Sequence, residues 1–183
     1  MKKILVPVDL SEGSENAVKI ASKLSLQTNA KVVIIHIVNP PRGAVLLEDG
    51  TVKDDNEYDL TTFYARARET MDLIKEKFGS IPNVECVVKI GGVNEIILHE
   101  LEANQFDLLI LGMTGELATS FWSNSHTEYL SKHVKTPVLT LKCDRSKMSF
   151  DKIIFVSDFL ESDQINLEIL RSLADHFNSK LVL

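Results

Sequence analysis

Apolar residues come in short unbroken runs that alternate with longer stretches of helical spacing. Ile4 to Val8, Val32 to Val38, Val84 to Ile90, Leu108 to Leu111 and Val138 to Lys142 read as strands, the continuous runs as strands buried on both faces. After the N-cap candidate Ser11, the residues Ala17, Val18, Ile20, Ala21, Leu24 and Leu26 keep mostly helical spacing, and Asn29-Ala30 closes that helix. A second helix is predicted from about Leu60 to Phe78, with Phe63, Ala67, Met71, Ile74 and Phe78 on one face and Gly79 as its stop. Gly91-Gly92 forms a turn into a third helix, Val93 to Glu102, and a fourth runs from about Ser125 to His133. Asn39-Pro40-Pro41 ends the second strand. Arg42 to about Tyr58 then predicts a long exposed, mobile loop, whose Asp54, Asp55 and Glu57 read as solvated carboxylates rather than a metal site. Five strands alternating with four helices predict an α/β domain with a mainly parallel sheet and right-handed crossovers.

The stretch from Leu108 to Glu128 carries the candidate chemistry. A strand ends at Gly112, Gly115 follows, and a polar stretch leads through Asn124-Ser125-His126-Thr127-Glu128 into a helix. Backbone N–H groups at such a turn, together with a helix N-terminus, can hold phosphate, and glycine lets the backbone approach an anion closely. Ser125 and Glu128 also match an S-x-x-E capping box, which accounts for both without a ligand.

Composition narrows the classes. The 183 residues suit one domain, or one domain and part of another, and 44% hydrophobic with 25% charged residues is an ordinary globular balance. A net charge of −6 without a basic run argues against nucleic acid as a partner. No apolar stretch approaches the ~20 residues of a membrane span, and Asp9 interrupts the short apolar N-terminal run too early for a signal peptide. Cys86 and Cys143 lie in predicted strands without a C-x-x-C partner, so both are expected to be small buried residues in a reducing compartment, the cytoplasm.

After a short polar linker, residues 144–151, the opening of the chain repeats. Lys3, Ile4, Asp9, Glu12, Ile20, Leu24, Asn29, Lys31 and Val33 recur as Lys152, Ile153, Asp158, Glu161, Ile169, Leu173, Asn178, Lys180 and Val182 at a constant offset of 149. This predicts a domain over residues 1–143 and a truncated second copy over 152–183 that ends inside its second strand. A lone βαβ piece cannot cover both faces of its strands, so it is expected to pack on the first domain or on another chain.

Ile4-Leu5-Val6-Pro7-Val8-Asp9-Leu10-Ser11-Glu12, His36-Ile37-Val38, Gly112-Met113-Thr114-Gly115 and Pro137-Val138-Leu139 resemble, in this order, motifs of the universal stress protein family. The resemblance covers residues 1–143. It implies an open, doubly wound parallel sheet of strand order 3-2-1-4-5, a family in which some members bind ATP and others do not, and tandem copies of the domain. It further implies that Asp9 contacts the base or ribose of ATP or AMP, that Pro7 and Val8 line the pocket, and that Ile37 packs on adenine. Leu111, Gly112 and Gly115 would form the first half of a G-x-x-G-x9-G-[ST] phosphate loop, and Asn124, Ser125, His126 and Thr127 the second. Here the sequence departs from the pattern: one residue is missing, Asn124 stands for the third glycine, and Phe121 and Trp122 make the loop bulkier. For Asp9 the competing assignment is a turn or helix-cap residue.

No catalytic set is legible. Ser11, Ser14, Ser125 and Thr127 lack a His–carboxylate partner by spacing, His36 lies in a strand, and His99, His133 and His176 fall on helices. No zinc signature and no Walker lysine is present, so weak hydrolysis of an ATP bound with Mg²⁺ is the most enzymatic expectation. Two readings follow: a stress-response regulator that binds adenine nucleotide at the sheet's switch point, or a scaffold of the same fold that has lost the ligand. The family resemblance also implies a homodimer through Val138 to Lys142, with the truncated repeat adding to it and an unknown protein partner beyond it.

Overall fold

The computed structural model describes residues 1–53, 59–113, 124–142, 144, 150–156 and 163–182, with the helical backbone alone at 124–125 and 163–166. The order is β1 (Lys3–Pro7), α1 (Glu12–Thr28), β2 (Lys31–Val38), α2 (Thr61–Phe78), β3 (Val84–Ile90), α3 (Val93–Ala103), β4 (Leu108–Gly112), α4 (Asn124–His133), β5 (Val138–Leu141), β6 (Lys152–Ile154), α5 (Asp163–Phe177) and β7 (Lys180–Val182). The first five strands form one sheet in the order β3-β2-β1-β4-β5, all neighbours parallel. The fold read from the sequence is therefore correct, with element ends moved by a residue or so.

Strand alternation sorts the core into two layers. Ile4, Val6, Val32, Ile34, Leu108 and Ile110 face a cluster with Ala17, Ile20, Ile74 and Phe78 of α1 and α2. Leu5, Val33, Ile35, Leu109 and Leu111 face Val93, Ile96, Ile97 and Leu130 of α3 and α4. Both faces of the central strands are covered, which is why their sequences run apolar without interruption. Cys86 departs from the buried position expected of it. It sits half-buried on the edge strand β3, and that partial burial still pushes its thiol up. Cys143 lies outside the described residues.

The loop after β2 is more ordered than its composition predicts. Leu46 and Val52 form an antiparallel bridge, and Thr51 bridges Gly91. Gly50, at φ +79°, lies buried against the backbone of Glu95 and Ile96, and its carbonyl accepts the Gly92 N–H at 2.9 Å. Residues 46–52 thus make a small hairpin docked at the start of α3, although Val45 and Leu47 stay about half exposed. Asp49 accepts from the N–H and the hydroxyl of Thr51, which holds its carboxyl below the usual range. The acidic run at 54–57 lies outside the described residues.

The C-terminal βαβ piece forms its own two-stranded parallel sheet, β6-β7. Its geometry repeats that of the N-terminus. Lys3 pairs Lys31, Ile4 pairs Val32 and Leu5 pairs Val33, while Lys152 pairs Lys180, Ile153 pairs Leu181 and Ile154 pairs Val182. Asn29 and Asn178 both take the left-handed conformation, φ 58° and 51°, after their helices. Lys31 N–H donates to the Lys2 carbonyl and Lys180 N–H to the Asp151 carbonyl, both at 2.8 Å. The piece packs on the first domain through Phe150, Leu173 and Phe177, the two phenyl rings 4.5 Å apart between centroids. No helix among the described residues is long and apolar enough to cross a membrane.

Candidate functional site

Strands β1 and β4 are neighbours at the centre of the sheet, yet their crossovers leave to opposite faces. Their carboxyl ends are therefore the topological switch point of the sheet, the place where open α/β sheets take ligands. β1 ends at Pro7, and the Val8 N–H still donates to the Ile35 carbonyl at 2.8 Å. Leu10 then reverses the chain at φ +63°, a conformation a leucine rarely adopts. Asp9 supports the reversal, since its Oδ1 accepts the Ser11 N–H at 3.0 Å. Ser11 caps α1 as expected, its Oγ accepting from the Ser14 N–H at 3.3 Å. Ser14, fully buried, donates its hydroxyl to the Ser11 carbonyl at 2.9 Å and accepts the Asp9 N–H at 3.4 Å.

Gly112 ends β4 directly under the first turn of α1. A Cβ placed there would lie well under 3.0 Å from the carbonyl oxygen and carbonyl carbon of Gly13 and from the Ser14 nitrogen. The first turn of α1 therefore rests on the end of β4, backbone to backbone. Gly112 is required by this packing, whether or not an anion approaches it. Sequence reasoning missed Gly13. A glycine in the first turn of a helix that otherwise tolerates larger residues was the available signal of a close approach.

The residues expected to form the site fall into three groups. Asp9 is half-buried at the end of β1, and its N–H donates to Ser14, whose nitrogen packs against Gly112. Pro7 is buried, and Val8, Ile37 and Leu111 are 1%, 3% and 1% exposed, Val8 on the α1–α2 face and the other two on the α3–α4 face. Gly115 lies outside the described residues, as do Phe121 and Trp122 and the side chains of Asn124 and Ser125. Of the last group, His126 Nδ1 meets Asn94 Oδ1 of α3 at 2.8 Å. Thr127 is 5% exposed, and its Oγ1 has no partner among the described residues.

The capping-box assignment of Ser125 and Glu128 is corrected. The helix already begins at Asn124, one residue before the supposed cap, and Glu128 turns forward to Lys132 Nζ at 2.6 Å. That contact, an i,i+4 pair, draws the Glu128 carboxyl below its usual range. Two other histidines satisfy their own helices, His133 Nδ1 on the Tyr129 carbonyl at 2.7 Å and His176 Nδ1 on the Ser172 carbonyl at 2.6 Å. Among the described residues no group of three or more His, Cys, Asp or Glu comes together as a metal site.

The family model of the universal stress proteins matches residues 1–142. The chain belongs to the universal stress protein family. Solved structures of this fold surround it. A universal stress protein from Lactobacillus plantarum aligns at 19% identity and TM-score 0.53, over 77% of this chain and 97% of that one. One from Arabidopsis thaliana, solved with AMP bound, aligns at 18% identity and TM-score 0.52, over 80% and 95%. One from Archaeoglobus fulgidus aligns at 16% identity and TM-score 0.69, over 98% of this chain and 65% of that longer one. At these identities the likeness is one of fold. No curated protein matches the chain at a significant level.

Proposed function

We propose that the chain is a cytoplasmic stress-response regulator that captures an adenine nucleotide, ATP or AMP, between the carboxyl ends of β1 and β4. The observation that carries this reading is the half-buried Asp9 carboxylate where β1 leaves the sheet, joined through Ser14 to the turn that packs on Gly112 at the end of β4. Asp9 holds the ribose or base, and the start of α4 supplies N–H groups toward phosphate. The unpartnered hydroxyl of Thr127 in that first turn supports a polar guest nearby, because a buried hydroxyl without a partner is costly. AMP in the Arabidopsis relative supports the same ligand class. Mg²⁺ would enter with ATP, held mainly by its phosphates.

The same reading treats residues 152–183 as the start of a duplicated domain. The repeated register and the paired left-handed asparagines support duplication, as does the longer Archaeoglobus fold. A homodimer through the open edge of β5, Val138–Leu141, with the C-terminal piece beside it, completes the proposal.

The scaffold reading has its own support. Asp9 already spends Oδ1 on Ser11, and His126 is engaged with Asn94. Calorimetric titration with AMP and ATP separates the two. The regulator reading expects saturable heat, and Asp9→Ala weakens binding about tenfold or more, as for loss of a charged hydrogen-bond partner of about 1.5–3 kcal/mol. Absence of heat at millimolar nucleotide, with a dimeric mass, would leave the scaffold.

A further inference from the structure

The carbonyl directly before the Asp9 turn is held by a side chain from the neighbouring strand. His36 Nδ1 lies 2.8 Å from the Val8 oxygen. A carbonyl oxygen only accepts, so Nδ1 carries the proton and a second proton must add at Nε2. The Val8 N–H is bound to Ile35 of the same strand. Both polar groups of Val8 are thus tied to β2, immediately ahead of the residue that the site depends on. Alternation puts the ring on the α1–α2 face of the sheet, opposite Ile37.

Burial keeps the His36 ring below the ordinary histidine range; the Val8 bond and the Asp9 charge draw it back up, and Arg66 from α2 pushes it down. Among the described residues, Asp9 on the turn and Arg66 on α2 are the charged groups that act on it. Because the folded value lies below 6.5, its contribution to stability is complete above that pH and is lost as pH falls through the folded value.

We propose that His36 is a positioning residue for Asp9: through the Val8 carbonyl it fixes where β1 leaves the sheet, and its protonation at Nε2 sets a cation on that carbonyl, one residue ahead of Asp9, so that capture of an anionic nucleotide tightens as pH falls. The ligand half rests on the nucleotide reading above. An anionic nucleotide captured at this end of the sheet favours the protonated ring, and by reciprocity the protonated ring favours the nucleotide. Neutral His36 fixes the turn without adding charge. The same ring is therefore a hook above its titration range and a hook with a charge below it.

Two titrations on the whole chain test this. The Asp9 carboxyl carbon is followed by NMR from about pH 8 to about pH 5, the window in which histidine titrates. It is expected to inflect at the His36 midpoint, and the inflection disappears in His36→Gln, which retains an N–H donor for Val8. AMP affinity over the same window is expected to rise about fivefold, the low end of ordinary site coupling, and to lose that slope in His36→Gln. His36→Leu, which has no donor, weakens AMP at every pH. A carboxyl signal without the inflection, or a pH slope that survives in His36→Gln, overturns the proposal. If AMP gives no heat at any pH, the nucleotide reading fails and takes the ligand half with it, and the carboxyl signal alone then decides whether His36 and Asp9 are coupled.

Discussion

Gly112→Ala is expected to destabilise the domain by about 3 kcal/mol, the upper end for overpacking a tight interior. The new methyl group would meet the backbone of Gly13 and Ser14, not the tip of a flexible side chain. Neither partner can swing aside. Gly112 stands in register with Leu141, the next residue Met113 donates its N–H to the Leu141 carbonyl at 2.7 Å, and Gly13 sits in the first turn of α1 below its cap. Relief therefore requires α1 to lift from the sheet, which would also unseat the Asp9–Ser11 turn. Denaturant unfolding checks this: the midpoint falls and the slope is kept. A change under about 1 kcal/mol would show that the β4 exit can move freely, contrary to the packing described. The consequence for function is direct, because the glycine of the supposed phosphate loop is a structural requirement before it is a ligand contact.

Ile34→Ala carries a similar expected cost, about 4 kcal/mol, within the range for truncating a fully buried isoleucine. Ile34 is 0% exposed. It pairs with Val6 on one side and Cys86 on the other, and it packs in the layer that holds Ile20, Ile74 and Phe78. Strands on both sides hold the backbone in place, so the cavity cannot collapse. Leu26→Ala is the control, since Leu26 is 69% exposed despite its place in the helical pattern; it should change stability by no more than about 0.5 kcal/mol. Thermal or denaturant unfolding of the two variants side by side would show the contrast.

Leu26 also marks where pattern reading stops. Apolar spacing found α1 and its face because burial and period agree for Ala17, Ile20, Ala21 and Leu24. It carried Leu26 along, one step past the buried stripe. The parallel strands were legible for a firm physical reason: strands covered on both faces must be apolar at every position. The recurrence of the opening residues keeps its offset of 149 without a gap, down to the two left-handed asparagines after α1 and α5.

What escaped the sequence depends on tertiary contact. Nothing in the text of residues 46–52 says that Gly50 will dock on the start of α3, because that contact is set by two distant glycine turns meeting. Leu10 at positive φ is invisible to any turn rule, which would ask for glycine or asparagine there. His36 was legible as a strand residue, but its bond to Val8 appears only once β1 and β2 are in register. Of the two roles read for Asp9, the turn role is realised by the Ser11 bond, and the ligand role is the one proposed above.

An adenine nucleotide bound between the ends of β1 and β4 is the proposal on which the functional reading rests. The most direct test is a residue-resolved NMR titration of the labelled chain with AMP. Saturable shifts are predicted at the amides of Asp9, Ser11, Gly112 and His126, with α2 and the C-terminal βαβ piece unmoved. Shifts that do not saturate, or that gather away from those four residues, would contradict it.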